Sequence, residues 1–414
     1  MTSVDTAIAL IKKGASGSAC SRDLSTPPWA FDNNQPNYGP GASEADVIPP
    51  SSPVQGVIPQ EYRDAPQDEL VQRVWDAKRA LGARLTVLGH FYQRDEVVQF
   101  ADFVGDSFQL AQQARTRPDA EAIVFCGVHF MAETADLLSR PEQAVILPNL
   151  AAGCSMADMA DVTSVDSCWQ QLQAVTDATI VPVTYMNSSA ALKAFCGRNG
   201  GIVCTSSNAP AVLRWAFERG QKVLFFPDQH LGRNTAKHMG VALDEMPLWD
   251  PRKPLGGNNE ADIATAKVIL WKGWCSVHKR FTVDQIEKAR REFPGVRVIV
   301  HPECPMEVVD AADEYGSTNY ILKAVENAPA GSTFAIGTEI NMVQRLANEH
   351  PEHTIFCLDP VICPCSTMYR IHPAYLAWVT EALLRGEVLN RVQVPHDVAN
   401  DARVALERML AVKP

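Results

Sequence analysis

The sequence predicts an α/β fold of three pseudo-equivalent three-layer αβα domains, each with a four-stranded parallel sheet, around a pseudo-three-fold axis with the active site at the centre. Three observations predict it. From Leu85 onward, short β-branched runs alternate with amphipathic helical stretches, the pattern of parallel sheets. The polar signatures at the strand ends recur three times in the same order. Each recurrence finishes on a Cys-Ser pair.

The elements of the repeat line up one by one. The first strands are LTVLGHFY (85–92), TIVPVTYMN (179–187) and VRVIVHPEC (296–304), each closing in polar groups. A hydroxyl cluster before a helix follows each: Gly105-Asp106-Ser107, Thr205-Ser206-Ser207 and Gly316-Ser317-Thr318. Third strands are AIVFCGVHF (122–130), KVLFFPDQH (222–230) and TFAIGTEIN (333–341), and fourth strands lead to Cys154, Cys275 and Cys365. From strand end to hydroxyl the spacing is 17 (His90 to Ser107), 21 (Tyr185 to Ser206) and 17 (His301 to Thr318). From the third-strand turn to the cysteine it is 27 (Gly127 to Cys154), 48 (Pro227 to Cys275) and 28 (Gly337 to Cys365), so the middle unit carries an insertion near 240–266. A single larger sheet with accidental matches is the competing reading.

These landmarks set the domain boundaries. Residues 1–80 form an N-terminal extension: 14–60 are rich in Gly, Ser, Pro and Asn and read as irregular, and 61–82 show helical spacing of Leu70, Val71, Val74, Ala77 and Leu81. The first repeat covers 81–156 and is completed by the C-terminal helices 367–414. The second covers 157–277 and the third 278–366. A formal charge of −11 gives no basic footprint for nucleic acid, and no apolar run reaches the roughly 18 residues of a membrane span. No cleavable secretory signal follows the short apolar patch Ala7 to Ile11, so the expected location is the cytoplasm.

Eleven cysteines in a reducing compartment point to metal or catalysis for some of them, not to a disulfide framework. Cys126, Cys168, Cys196, Cys204 and Cys357 sit in apolar runs and read as small core residues. Cys154, Cys275 and Cys365 stand at equivalent strand ends, one per repeat, which suits a soft metal centre. An iron–sulfur cluster on three cysteines leaves one iron open as a Lewis acid. Zinc competes, although no C-x₂-C pair of the zinc-ribbon kind is present. Cys363, two residues before Cys365, is the alternative third ligand.

The stretches GHFYQ (89–93), ADFVGDS (101–107), GVHFMAETA (127–135), PNLAAGCSMAD (148–158), TSSNA (205–209), WCSVHKRF (274–281), HPEC (301–304), GST (316–318) and VPHDVANDARVALERML (394–410) resemble quinolinate synthases. The resemblance runs from about His90 to the C-terminus. It implies a [4Fe–4S] cluster on Cys154, Cys275 and Cys365, and condensation of iminoaspartate with dihydroxyacetone phosphate to quinolinate, phosphate and water in NAD biosynthesis. The family's Cys-x-x-Met spacing fits Cys365 with Met368 and not Cys363. It also implies that His90, Tyr92, Tyr185, Asn187, His301 and Glu303 line the cavity. A link to an L-aspartate oxidase as supplier of the imine is expected by the same resemblance. The chain is expected to be a monomer or homodimer.

With the resemblance, Glu303 and His301 read as a general acid/base pair, with Glu303 moving the proton in dehydration and Pro302 fixing the chain between them. A histidine satisfied by a backbone partner beside an exposed Glu is the competing reading. By the same resemblance, Tyr92 and Tyr185 are expected to donate phenolic protons or hold substrate oxygens; half-buried packing is the competing reading. Ser107, Ser206 and Thr318 open helices, where a hydroxyl and free N–H groups bind an anion or serve as ordinary caps. His278 is a further cavity candidate. Lys323 reads as solvated, and His129, Glu133 and Thr134 as helix-start contacts. Two other functions compete: a different [4Fe–4S] hydro-lyase, and a non-catalytic iron–sulfur sensor, which the acidic charge disfavours.

Overall fold

Each predicted strand run stops at its polar end. In the computed structural model, which describes residues 53–360 and 364–412 together with Pro27 and Trp29, the chain forms two units. They are Met1–Ser155 with Val325–Val394, and Met156–Ala324 with Pro395–Pro414. Most of the stretch 14–60 lies outside the described residues.

In the first unit β1 (Leu85–His90) is buried along its whole length and pairs in parallel with β2 (Phe103–Gly105) and β3 (Ala122–Cys126). β4 (Ala144–Ile146) extends the sheet in parallel beside β3. In the second unit β5 (Ile180–Tyr185), β6 (Ile202–Cys204), β7 (Lys222–Phe226) and β9 (Val268–Trp271) repeat the order second–first–third–fourth. The apolar, β-branched content of β1 and β5 is what a strand covered on both faces requires. Strands predicted for 278–366 fall in both units. β10 (Arg297–Val300) pairs in parallel with β11 (Glu314–Tyr315) in the second, and β12 (Thr333–Gly337) with β13 (Thr354–Cys357) in the first. Register repeats as well: His90 faces Gly105, and Tyr185 faces Cys204, where each first strand ends.

The sheets of the first two repeats have five strands, not the four predicted. β14 (Arg391–Val392) adds antiparallel to β4, and β8 (Leu248–Trp249), inside the 240–266 insertion, adds in parallel to β9. Both are two residues long, too short for any periodicity to announce them.

Helices complete the layers. The stretch expected at 61–82 forms Gln60–Arg63 and Gln67–Leu81, divided before Pro66, which stands at the second helix's N-cap. Leu70, Val74, Ala77 and Leu81 are its buried face, and helix Pro373–Leu384 packs on it. Helix His396–Ala411 belongs to the second unit, whereas the sequence reading groups all of 367–414 with the first repeat. It lies against helix Ala190–Arg198 so closely that a Cβ on Gly197 would stand 1.9 Å from the Asp401 carbonyl oxygen. Among the described residues no helix is long and apolar enough to cross a membrane.

One polar cluster ties the helices of the first unit. Arg73 donates through Nε and Nη2 to the two oxygens of Glu381 at 2.7 and 2.8 Å, and the Tyr62 hydroxyl donates to the same carboxylate at 2.7 Å. The Arg73 fork, against the opposing effect of burial, holds Glu381 below the usual glutamate range. A depressed folded pKa contributes stability above the unfolded value and loses it as pH falls through the folded value. Arg73→Ala is therefore expected to cost about 1–2 kcal/mol at pH 7. The gap to wild type should close below about pH 4. Urea denaturation of both proteins across pH checks this; a gap that does not change with pH would remove the carboxylate from the account.

Candidate active site

In the first unit β1 delivers His90, which is buried, and the chain turns at once to Tyr92. His90 Nδ1 accepts the Tyr92 backbone N–H at 3.1 Å, so the neutral ring carries its hydrogen on Nε2. The two rings meet edge to face at 4.8 Å. The Tyr92 hydroxyl lies 2.8 Å from Thr338 Oγ1, at the end of β12. Arg345 fixes the turn itself by donating to the carbonyls of Phe91 and Gln93 and to Asp95. Next to Thr338, Glu339 caps helix Ile340–Glu349 and also accepts the backbone N–H of Cys365 at 3.2 Å. Burial pushes the Glu339 carboxyl up to about 7, against the pull of those N–H groups.

The second unit repeats this design with other residues. His301 Nδ1 accepts the Glu303 N–H at 3.4 Å, as His90 does from Tyr92. Asp228 caps helix Gln229–His238 through its Oδ1, and a hydrogen bond from the Cys275 N–H acts on the same carboxyl. Asp228 thus stands to Cys275 as Glu339 stands to Cys365. Burial and the neighbouring Glu303 charge push Asp228 well up. The turn past the second and third cysteines is also shared: Lys279 N–H donates to Cys275 O and Tyr369 N–H to Cys365 O, each at 3.0 Å. His278 and Met368 hold the same place in it, three residues beyond the cysteine, and each opens a single 3₁₀ turn. Gly273, two residues before Cys275, has no room for a side chain, because a Cβ there would lie 2.3 Å from the Pro227 carbonyl oxygen.

Glu303 is the centre of the second-unit cluster. It is 3% exposed, with His278 Nδ1 2.8 Å from Oε2 and His301 Nδ1 4.0 Å from Oε1. The two imidazoles stack at 4.5 Å. Burial opposes ionisation of Glu303. The neighbouring imidazoles of His301 and His278, with hydrogen bonds from His278 and the Tyr185 hydroxyl, overcome it and hold the carboxyl well below its usual range. Asn234 clamps the turn that carries Glu303, donating to Pro302 O and Cys304 O at 2.9 Å each. Donor atoms of Cys275, His278 and Glu303 all lie within 4.8 Å of one another.

The hydroxyl clusters stand where predicted, each leading into a nine-residue helix: Ser107–Arg115, Ala209–Phe217 and Thr318–Glu326. At two of them the cap is made by a neighbour: Asp106 accepts from the N–H groups of Phe108 and Gln109, and Ser317 Oγ from Tyr320. Asn208, before helix Ala209–Phe217, makes no side-chain cap; its Oδ1 accepts the upstream Thr205 N–H. Among the described residues, no hydrogen bond occupies the hydroxyls of Ser107, Ser206 or Thr318. Asn187 is half-buried, one residue before Ser188, whose hydroxyl donates back to Tyr185 O at 2.7 Å. Lys323 is exposed, and His129 opens helix His129–Leu138 with Glu133 one turn on, 3.8 Å away.

The cysteines divide cleanly by exposure. Among those described, Cys126, Cys168, Cys196, Cys204, Cys304 and Cys357 are buried, and Cys154, Cys275 and Cys365 are half-exposed. Burial pushes the Cys126 thiol up to about 12 and Cys204 well above its ordinary value, which makes them inert. Cys363 lies outside the described residues.

The family described as Quinolinate synthetase A protein matches residues 72–411. A quinolinate synthase of Corynebacterium glutamicum is 70% identical over 378 residues, 91% of this chain and 96% of that protein. The chain belongs to the quinolinate synthase family. Quinolinate synthases of Nocardioides sp. (55% over 362 residues, 86% of this chain and 92% of that protein) and Rhodopirellula baltica (50% over 385 residues, 90% and 96%) are also similar. As a member of the quinolinate synthase family the chain is an enzyme. The contacts that Asp228, Glu339, Asn234 and Thr338 make to the candidate residues were not legible in the sequence. The signal for the two acids was present: in F-P-D-Q-H and G-T-E-I-N an acid directly precedes a helix at the same point of the repeat.

Proposed function

We propose that this enzyme condenses iminoaspartate with dihydroxyacetone phosphate to quinolinate, phosphate and water, and that Cys154, Cys275 and Cys365 hold a [4Fe–4S] cluster. The observation that carries the cluster is the division of the cysteines. Among the described residues the half-exposed thiols are the three that the sequence repeat singles out, and the backbones of two are held by buried acids. Such a donor set suits a soft cluster. When bound, the cluster supplies a Lewis acid at the iron that no cysteine holds.

The chain's own groups divide the remaining work. Glu303 is an ionised, water-shielded base with His278 and His301 at its side, and it takes protons from substrate carbon during dehydration. His90 and His301, whose Nδ1 atoms accept backbone N–H groups, present Nε2–H to substrate oxygens. Tyr185 donates to Glu303 and relays protons to it, and Tyr92 with Thr338 forms a second hydroxyl pair. Ser107, Ser206 and Thr318, with Asn187, offer donors to carboxylates and phosphate.

Anaerobic purification of wild type, Cys154→Ala, Cys275→Ala and Cys365→Ala, with iron, sulfide and quinolinate assayed on each, tests the reading. Wild type should carry about four irons per chain, and each variant should lose both iron and product. Retention of iron and activity in all three variants would end it. The close grouping of Cys275, His278 and Glu303 favours one second reading, a single zinc-type ion. Absorbance near 400 nm together with sulfide separates the cluster from that ion.

A further inference from the structure

We propose that residues 53–62 form a strap that positions the loop bearing Cys154, with Gln55 as the positioning residue. The segment precedes residue 72, where the family match begins, and its composition reads as irregular. Yet its exposure is sharply divided: Gln55, Ile58 and Tyr62 are 0–2% exposed, while Val54 and Val57 are 73% and 78% exposed. A fully buried glutamine costs free energy unless its amide is paired. Here Oε1 accepts the Leu150 backbone N–H at 2.6 Å and the Asn390 Nδ2 at 3.2 Å, and Nε2 donates to Gly56 O at 2.9 Å.

Leu150 lies four residues before Cys154, in a stretch without strand or helix between β4 and the cysteine. The other groups of that loop are tied from within the core. Leu147 N–H donates to Asn390 O at 3.1 Å, Asn390 Nδ2 to Pro148 O at 2.7 Å, and His129 N–H to Ala152 O at 2.8 Å. Among the described residues the Leu150 N–H has Gln55 as its acceptor, so the extension supplies what the core leaves open. The strap's far end is anchored by Tyr62, which donates to Glu381 and lies under the Arg73 guanidinium at 4.4 Å. Upstream, Trp29 meets His372 edge to face at 5.4 Å, seven residues past Cys365. A ligand loop without secondary structure depends on such supporting contacts to hold its thiol in place. The ligand role of Cys154 rests on the function proposed above, whereas the strap's grip on the loop does not.

The test uses the full chain in metal-free and anaerobically loaded forms: wild type, Gln55→Met, which keeps the length and removes both polar atoms, and Gln55→Glu, which keeps the accepting oxygens. In metal-free wild type the Leu150 amide should be protected from hydrogen exchange. In metal-free Gln55→Met the amides of 149–153 should exchange at least about tenfold faster, with β1 and β3 unchanged, and Gln55→Glu should restore much of the protection. The loaded Gln55→Met should lose iron to a chelator about tenfold faster than wild type. A Leu150 amide that exchanges as an open loop in wild type overturns the strap. So does a Gln55→Met protein whose loop exchange or iron retention equals wild type. A wild type that never binds iron, with loop exchange still faster in Gln55→Met, overturns the cluster and leaves the strap standing.

Discussion

Glu303→Gln should lower kcat by about 10²- to 10⁴-fold, the usual worth of a positioned general base, while iron content and melting temperature stay close to wild type. The glutamine fills the same buried space and still offers an oxygen to His278 and Tyr185. What it cannot do is take a proton. The isosteric change also removes the charge that the two stacked imidazoles face across 2.8 and 4.0 Å. Single-turnover assays on anaerobically prepared protein separate this loss from weaker substrate binding. Activity within a few-fold of wild type would assign the proton transfer to another group.

A second large effect is expected far from the chemistry. Gly197→Ala should destabilise the enzyme by about 2–3 kcal/mol, although alanine is the better helix former by about 1 kcal/mol. The clash decides the sign, because the new methyl would meet the Asp401 carbonyl at 1.9 Å and a backbone atom cannot swing aside. Arg408 donates to the carbonyls of Gly197 and Gly201 at 3.2 and 2.7 Å, so helix His396–Ala411 cannot retreat without breaking both. Chemical denaturation and proteolysis around 385–395 read the loss. A variant more stable than wild type would mean that propensity outweighs the contact.

Much of the candidate site's placement was legible because its residues are tied to strand ends, and strand ends are marked by composition. His90, Tyr185 and His301 each follow a run of apolar residues that can only be a covered strand, and all three appear at or just past its last residue. The five cysteines assigned to the core are buried, for the same reason. Contacts made across long separations in sequence were not legible. Glu339 reads as an ordinary helix cap until Cys365 is placed beside it, and Asn234 as a helix residue until the turn 302–304 meets its amide. The hydroxyls were found and their partners misjudged. Where a side-chain cap is made it falls to Asp106 and Ser317, since a side chain just outside the helix reaches the free N–H groups more easily than one already inside it. Gln55 was hidden by its setting, because Pro- and Gly-rich composition argues against burial and says nothing about one amide filling a gap.

The division of the chain also constrains the order in which the molecule is made. A ribosome delivers residues from the N-terminus, and domains that are continuous in sequence fold as they emerge. Neither unit here has that option. The sheet begun by β1 waits for Arg391–Val392 to cover β4, and the sheet begun by β5 waits for the helix at His396–Ala411 to cover Gly197. Nascent chains therefore carry unfinished sheet edges and open thiols through most of synthesis. Cys365 emerges long after the loop that Gln55 ties down, so the cluster proposed above could be completed only on the finished polypeptide.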